Sequence, residues 1–454
     1  MIFFLFLGAA LGDTVTLDDV LGMAREHNVE IQVADLEVTA SQARANQIRS
    51  YYLPTITATG AALWWNEKLE AELFEGDPCA DLDATLKPFC DDMVGSMLDE
   101  PMLLREKATQ QLEFKAVQPL TGLYGVYEGH RATRALMRSA KWDRHFQQAR
   151  VEIDVVQTYL EALKTQELVG VAEQGIGTLE AHHLRATAFW EEGLVGRNEI
   201  LQIEVALADT RLNAQRAQVG VELLQRKLSF LAGSTTVLQP APLSLETLPQ
   251  VDVNEDVALE RALLHPAVKS LEEKSVAARA GRNRANADRI PQVVGMATWT
   301  RNWGVGSFAA AEEMYVGLGL QWEMWAWGRR HYAARESGAR ARQAQVGLIG
   351  RQAGAELEVR AALSELDLTR NAWMAAGTTV GQAEENLRIV TALFNGHKAP
   401  ATDILEAEAL LSKARSDRIG ATYDALVAIA LVQSLVALPV APLEGLSLIA
   451  GIEE

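Results

Sequence analysis

The sequence predicts a mainly α-helical chain built as two tandem repeats, each carrying a pair of β-strands of membrane type. Three observations predict it: self-similarity at a fixed offset, helical stretches too long for a compact core, and four segments of alternating polarity.

Shifting the sequence by 237 places sets Asp19-Val20 on Asp256-Val257, Ile31 on Val268, Ala40 on Ala277, Ala43 on Ala280 and Asn46 on Asn283. Pro54 then falls on Pro291, and each proline precedes a Thr- or Val-rich alternating run. Further along the offset is 204, with Glu199-Ile200-Leu201 on Asp403-Ile404-Leu405, Glu204 on Glu408, Leu207 on Leu411 and Arg211 on Arg415. The first copy therefore holds 33 more residues between its matched blocks. They fall in residues 66–110, which have only a brief counterpart near 303–313. A fixed repeat defines the structural unit before any local reading. The expected division is a leader at 1–12, a first repeat at 13–236, a linker at 237–254, a second repeat at 255–438 and a tail at 439–454.

Within each copy the order is helix, strand, loop, strand, very long helix. No proline occurs between Pro119 and Pro240, or between Pro291 and Pro400. Helical patterns of that length point to coiled coil or helical repeat. Ile153, Val156, Leu160 and Leu163 recur at 3–4 spacing, as do Val221, Leu224, Leu228 and Leu231, which builds a seam for a neighbouring helix. A helix over 124–190 would be on the order of 100 Å long at 1.5 Å per residue.

Four segments alternate with period two, near 54–65, 111–119, 291–301 and 314–322. In the first, Ile56, Ala58, Gly60, Ala62 and Trp64 share a face opposite Thr55, Thr57 and Thr59. Leu112, Phe114 and Ala116 do so in the second, Val293, Gly295, Ala297 and Trp299 in the third, and Val316, Leu318, Leu320 and Trp322 in the fourth. Such alternation marks a half-buried strand and equally a lipid-facing wall. Trp64, Trp65, Trp299, Trp303, Trp322 and Trp325 lie in or beside these segments, as does Trp327, and indoles favour the membrane interface. An ordinary sheet with aromatics in its core is the plain alternative. Membrane barrels use at least eight strands, and open edges have no partner in lipid. Strands that span a membrane here must be closed by oligomerisation.

Composition removes several classes of function. A formal net charge of −18 disfavours nucleic acid, since phosphate binding needs a basic face. Two cysteines and eight scattered histidines give no metal-ligand spacing, so no metal or cofactor is expected. No nucleophile–base set or phosphate loop marks an enzyme, and no catalytic residue is assigned. Residues 66–110 carry twelve acidic against four basic residues, the pattern of a solvated loop. Residues 1–12 form a short apolar run, and Ala10-Leu11-Gly12 puts small residues where a signal peptidase reads, so an export signal is expected. No Cys follows it to carry a lipid anchor. Past it, no stretch reaches the 18 or more apolar residues of a spanning helix.

Thr16-Leu17-Asp18-Asp19-Val20-Leu21 followed by His27-Asn28-Val29-Glu30-Ile31 resembles the opening helix of the TolC-like outer membrane efflux proteins. Leu53-Pro54-Thr55-Ile56 and Ile290-Pro291-Gln292-Val293 resemble that family's helix-to-strand switches. Gln118-Pro119-Leu120, and Trp322-Glu323-Met324 before Gly328-Arg329-Arg330, resemble its strand-to-helix returns. Glu192-Gly193-Leu194-Val195 and Phe394-Asn395-Gly396 resemble its helix-hairpin turns. The similarity runs over residues 14–438.

The resemblance implies a homotrimer in the outer membrane, each chain giving four strands to a twelve-stranded β-barrel continuous with a coiled-coil α-helical barrel in the periplasm. It implies a passive exit duct whose helix tips dock on a periplasmic adaptor (membrane fusion) protein served by an inner-membrane pump or ABC exporter. The rival reading is a periplasmic helical scaffold that forms no channel. Gly193-Leu194-Val195-Gly196, with Asn395 and Gly396, are the expected docking tips, Leu194 and Val195 being exposed apolar anchors; a plain interhelical turn explains the glycines alone. Asp403 and Glu406 share a helix face, and three copies would ring a mouth with carboxylates that focus cations. A solvated acidic first turn, favoured by the helix dipole, is the alternative. Glu199 is expected to tie to Lys398 across neighbouring hairpins. Outside the inner membrane Cys79 and Cys90 could pair and restrain the acidic loop, expected to face the exterior, by roughly 3 kcal/mol.

Overall fold

The computed structural model describes residues 14–71, 79–98, 102–243, 248–249, 253–306, 309–396 and 398–436. The expected leader at 1–12 and tail at 439–454 lie outside the described residues. In chain order the elements are β1 (Thr14–Val15), α1 (Leu17–His27), α2 (Val29–Ser50), β2 (Thr55–Trp64), β3 (Leu69–Ala71), α3 (Lys87–Leu98), β4 (Met102–Pro119), α4 (Leu123–Glu191) and α5 (Arg197–Ala232). They continue with β5 (Gln239–Pro240), α6 (Glu255–Ala262), α7 (Pro266–Ala287), β6 (Gln292–Val305), β7 (Glu312–Gln321), α8 (Arg329–Asn395) and α9 (Ala401–Leu435). The repeat is visible in these boundaries. α2 and α7 coincide end for end at the 237 offset, and α5 and α9 begin together at the 204 offset. The chain is therefore mainly helical, doubled, and carries two long strands per copy.

It divides into two units, one of Met1–Ser41, Leu136–Ser275 and Ala344–Glu454, the other of Gln42–Ala135 and Val276–Gln343. The core of the first is a four-helix seam. Val20, Leu21 and Ala24 of α1, Val155, Tyr159 and Leu160 of α4, Leu228 of α5 and Leu426 of α9 are buried together. Each buried Leu or Val contributes about 1.5–3 kcal/mol by leaving water. A capping box opens α1, Thr16 Oγ1 accepting from Asp19 N while Thr16 N donates to the Asp19 carboxylate. The Tyr159 hydroxyl lies 3.2 Å from Val15 O and 2.9 Å from Ala241 O, beside the short parallel pairing of β1 with β5. The segment expected as a bare linker, 237–254, therefore holds a strand, fixed because Tyr159 sits under it.

The second unit contains an antiparallel sheet of order β2-β4-β6-β7, with β3 pairing on β4. Register places the four alternating segments in one pattern. Ile56, Ala116, Ala297 and Val316 form one row across the sheet. Ala58, Phe114, Trp299 and Met314 form the next, with the Phe114 and Trp299 rings 5.8 Å apart. Rows of the other face read Thr57, Lys115, Thr298, Tyr315 and Thr59, Glu113, Thr300, Glu313. A one-residue slip in any strand would exchange the faces. The alternation in all four strands thus fixes a single sheet with one apolar and one polar side.

Residues 66–110 are not the plain loop their charge suggested. β3, α3 and the first nine residues of β4 lie inside them. β4 extends because it is central, with β2 and β3 on one side and β6 on the other. Its charged Arg105 pairs with both β3 and β6, while Glu106 and Lys107 fall where the register shifts between Arg105 and Gln110. Cys79 and Cys90 are joined by a disulfide, with Cα atoms 5.9 Å apart. The counterpart connection in the second copy is short, β6 ending at Val305 and β7 starting at Glu312. Among the described residues no helix is long and apolar enough to cross a membrane.

Candidate functional site

Two regions carry the residues singled out above, the sheet face and the two helix-hairpin turns. On the sheet, tryptophans gather at both ends of the strands. Trp64 and Trp303 stand at the end away from α2, α4 and α7, and Trp322 follows the last residue of β7 at the other. Trp64 is 79% exposed and Trp325 74%. Trp299 pairs with Met314, eight residues before Trp322, a run of ~26 Å at 3.3 Å per residue. That is close to the ~25 Å height of the apolar band on a membrane barrel. Trp299 Nε1 donates to Glu312 Oε1 at 2.8 Å, and Trp65 Nε1 to Thr109 Oγ1 at 3.0 Å. The indoles keep a polar partner at the rim while their rings stay on the sheet. Val316 (75%), Leu318 (76%) and Leu320 (70%) are exposed apolar side chains on edge strand β7.

The first hairpin turn ends α4 by a glycine-dependent stop. Gly193 has φ +74°, its N–H bonds to Trp190 O at 2.9 Å, and Leu194 N–H reaches Phe189 O at 2.8 Å. These are the two bonds of a Schellman motif, with Gly193 in the left-handed position that a Cβ disfavours. Leu194 is exposed, as expected, but Val195 is half-buried and offers less apolar surface. Gly196 then caps α5 without a side-chain hydrogen bond.

The second turn is built differently. Lys398 N–H bonds to Leu393 O at 2.8 Å, while Gly396 is not in the positive-φ region. A Cβ on Gly396 would meet only the Ala392 and Leu393 carbonyls at 3.5 Å, an ordinary contact. The two glycines therefore separate by experiment. Gly193→Ala is expected to weaken its hairpin by about 1–2 kcal/mol, the cost of a left-handed non-glycine residue. Gly396→Ala stays within about 0.5 kcal/mol. Rates of limited proteolysis at the two turns report the difference.

Below the turns the hairpins are joined by contacts the sequence reading did not single out. Ala186, Ile200, Ile203, Phe394, Ala401 and Ile404 are buried in one cluster, with the Phe189 and Phe394 rings 5.7 Å apart. The signal was present, since Ile200 and Ile404 are equivalent at the 204 offset. The Glu199 carboxylate accepts from Ala401 N–H at 3.3 Å. Within the chain it thus caps the start of α9 rather than pairing with Lys398, whose side chain is exposed. A helix N-terminus holds unsatisfied N–H groups, so a nearby carboxylate is drawn to them. Asp403 and Glu406 are both exposed on α9, and Thr402 Oγ1 donates to Asp403 at 3.4 Å. His183 meets Glu204 at 3.2 Å, while adjacent His182 is buried with neither ring nitrogen partnered. Among the described residues no group of three or more His, Cys, Asp or Glu is placed to hold a metal ion.

With this geometry the architecture is that of outer-membrane channel subunits. The outer-membrane channel OprN superposes with a TM-score of 0.78 at 16% identity, over 93% of this chain and 90% of that one. CusC gives 0.77 at 15% identity over 95% of both chains. The CmeC outer membrane channel of Campylobacter jejuni gives 0.77 at 14%, over 95% of this chain and 90% of that one. At such identities the likeness establishes the fold. By sequence, no curated protein matches. Residues 258–437, nearly all of the second repeat, match the family model described as outer membrane efflux protein.

Proposed function

We propose that this chain is one protomer of a homotrimeric outer-membrane exit duct, passive in itself, through which cargo leaves the periplasm. The observation that carries the reading is the sheet: one face apolar in register across four strands, and both edges open. Edge strands β2 and β7 each offer ten residues of backbone, and unpaired backbone groups cannot be left in lipid. Because the four strands alternate in direction, β7 of one copy can pair antiparallel with β2 of the next. Three copies then give about twelve strands, within the range of closed membrane barrels.

The helices would form a barrel in the periplasm and present the hairpin turns to a partner. Leu194 is the apolar residue best placed to meet an adaptor protein, which an inner-membrane pump or ABC exporter would serve. Asp403 and Glu406, exposed just past the second turn, would face a narrowed mouth as rings of carboxylate and enrich cations there.

Planar bilayers test this. The purified trimer should conduct with cation preference, and Asp403→Asn combined with Glu406→Gln should lower that preference several-fold at low salt and little at 1 M, where the Debye length is ~3 Å. An inert or strongly anion-selective preparation would remove the duct reading. The scaffold reading predicts instead that the protein leaves cells in buffer without detergent.

A further inference from the structure

Against a net charge of −18, the ends of α7 and α8 nearest the sheet hold a groove of about 390 Å³ lined by arginine. Arg282 comes from α7 and Arg289 from the turn that follows it, Arg335 and Arg342 from α8, with Asn286 of α7 between them and no carboxylate in the lining. Arg335 and Arg342 are seven apart on α8 and so lie on one side, two turns apart, and Arg282 and Asn286 are one turn apart on α7. All four are exposed, and among the described residues none forms an ion pair. The contrast with Arg329 and Arg330 is plain, since both are held by Glu323 at 2.6 and 3.1 Å.

The side on which this groove opens follows from its neighbour. Arg284, Asp288 and Gln292 line a separate cavity of about 530 Å³. Gln292 alternates with Val293, so it belongs to the polar face of the sheet. At 100° per residue, groove positions 282 and 286 each lie ~200° around α7 from position 284, one in each direction. The arginine groove therefore opens on the side of the apolar strand face. Its depth is equally defined. Arg289 is three residues before β6, and exposed Trp322, Trp325 and Trp327 lie between β7 and α8. Indoles in that position mark the headgroup layer.

We infer that the groove between α7 and α8 binds the phosphate of an anionic phospholipid on the helix side of the bilayer. Guanidinium groups take phosphate oxygens in a bidentate fork, and a lipid whose chains lie along the apolar strands presents its headgroup at this depth. The inference rests on the sheet spanning a membrane, as proposed above. A chain that floats with liposomes of no composition fails that reading, whereas flotation without headgroup preference fails only this one.

The test is native mass spectrometry of the full-length trimer in detergent, titrated with phosphatidylglycerol or phosphatidylcholine. Wild type should retain phosphatidylglycerol preferentially. A basic residue near an anionic surface is worth about fivefold in affinity, so Arg289→Gln with Arg335→Gln should weaken retention ~30-fold. Lysine at both positions should restore most of it. The charge-matched pair Arg284→Gln and Arg340→Gln, outside the groove, should bind as wild type does. Equal loss in both glutamine pairs, or no loss in the first, overturns the inference. So does displacement of the lipid by equimolar inorganic phosphate, which would mean a free-anion site. Trimer dissociation in the first pair but not in its lysine counterpart would assign the arginines to carboxylates of a neighbouring copy, and overturns it too.

Discussion

Leu318→Arg is expected to abolish assembly into the outer membrane, while Gly317→Arg, one residue away, leaves it intact. Leu318 lies on the apolar face of β7, midway between Met314, which pairs with Trp299, and Trp322. That places it near the middle of the band proposed to face lipid. Arginine at the midplane of a barrel's lipid face costs about 2–4 kcal/mol, so three copies carry about 6–12 kcal/mol, comparable to the whole stability of a folded domain. Gly317 faces the polar side, and a Cβ there meets nothing within 4 Å. The measurement is the fraction of chain recovered as a detergent-resistant trimer from outer membranes. In an ordinary soluble sheet the outcome would differ. Leu318 is 76% exposed in the single chain, and an exposed substitution there would stay within about 0.5 kcal/mol. Equal recovery of both variants would exclude a lipid-facing β7.

The repeat makes most of the fold legible in the sequence. Helices α2 and α7 fall at one offset to the residue because a duplicated unit keeps its element boundaries. The strand faces were legible for a related reason: a period of two survives in any register, and the register then followed from four alternations having to agree. Charge misled where backbone pairing decided the outcome. Arg105, Glu106 and Lys107 read as loop, yet they lie within β4, where Arg105 pairs with both β3 and β6. At the tips, the sequence showed glycines but not their conformations. Gly193 and Gly396 look equivalent in a pattern, and only the backbone tells that the first needs a left-handed residue and the second does not. Glu199 is legible as a residue that ties one hairpin to the next, but its partner within the chain is hidden, because the Ala401 N–H that binds it is a main-chain group common to every sequence.

The same limit applies to Glu204 and Glu408, equivalent at the 204 offset and opposite in environment. Glu204 is exposed and meets His183. Glu408 is 7% exposed and its Oε2 has no hydrogen-bond partner. It occupies a niche left by Gly175 of α4, where a Cβ would stand 3.8 Å from Glu408 Oε1. Burial raises its pKa above the ordinary 4.5, and the Arg415 charge only partly opposes this. The sign of the linkage follows. A group whose pKa is higher folded than unfolded favours the native state below the unfolded value, and that stability is lost as pH rises through the folded value. Glu408→Gln keeps the shape, removes the charge, and is expected to raise stability at pH 8 by about 1–3 kcal/mol per chain, the usual penalty of an unsatisfied buried polar group. Near pH 4 the variant and the parent should unfold together, because both are neutral at this position. Thermal unfolding of the detergent-solubilised protein across that range measures the gap. A constant gap at every pH would place the effect in packing, and a destabilised variant at pH 8 would mean that the carboxylate has a partner in the assembled protein.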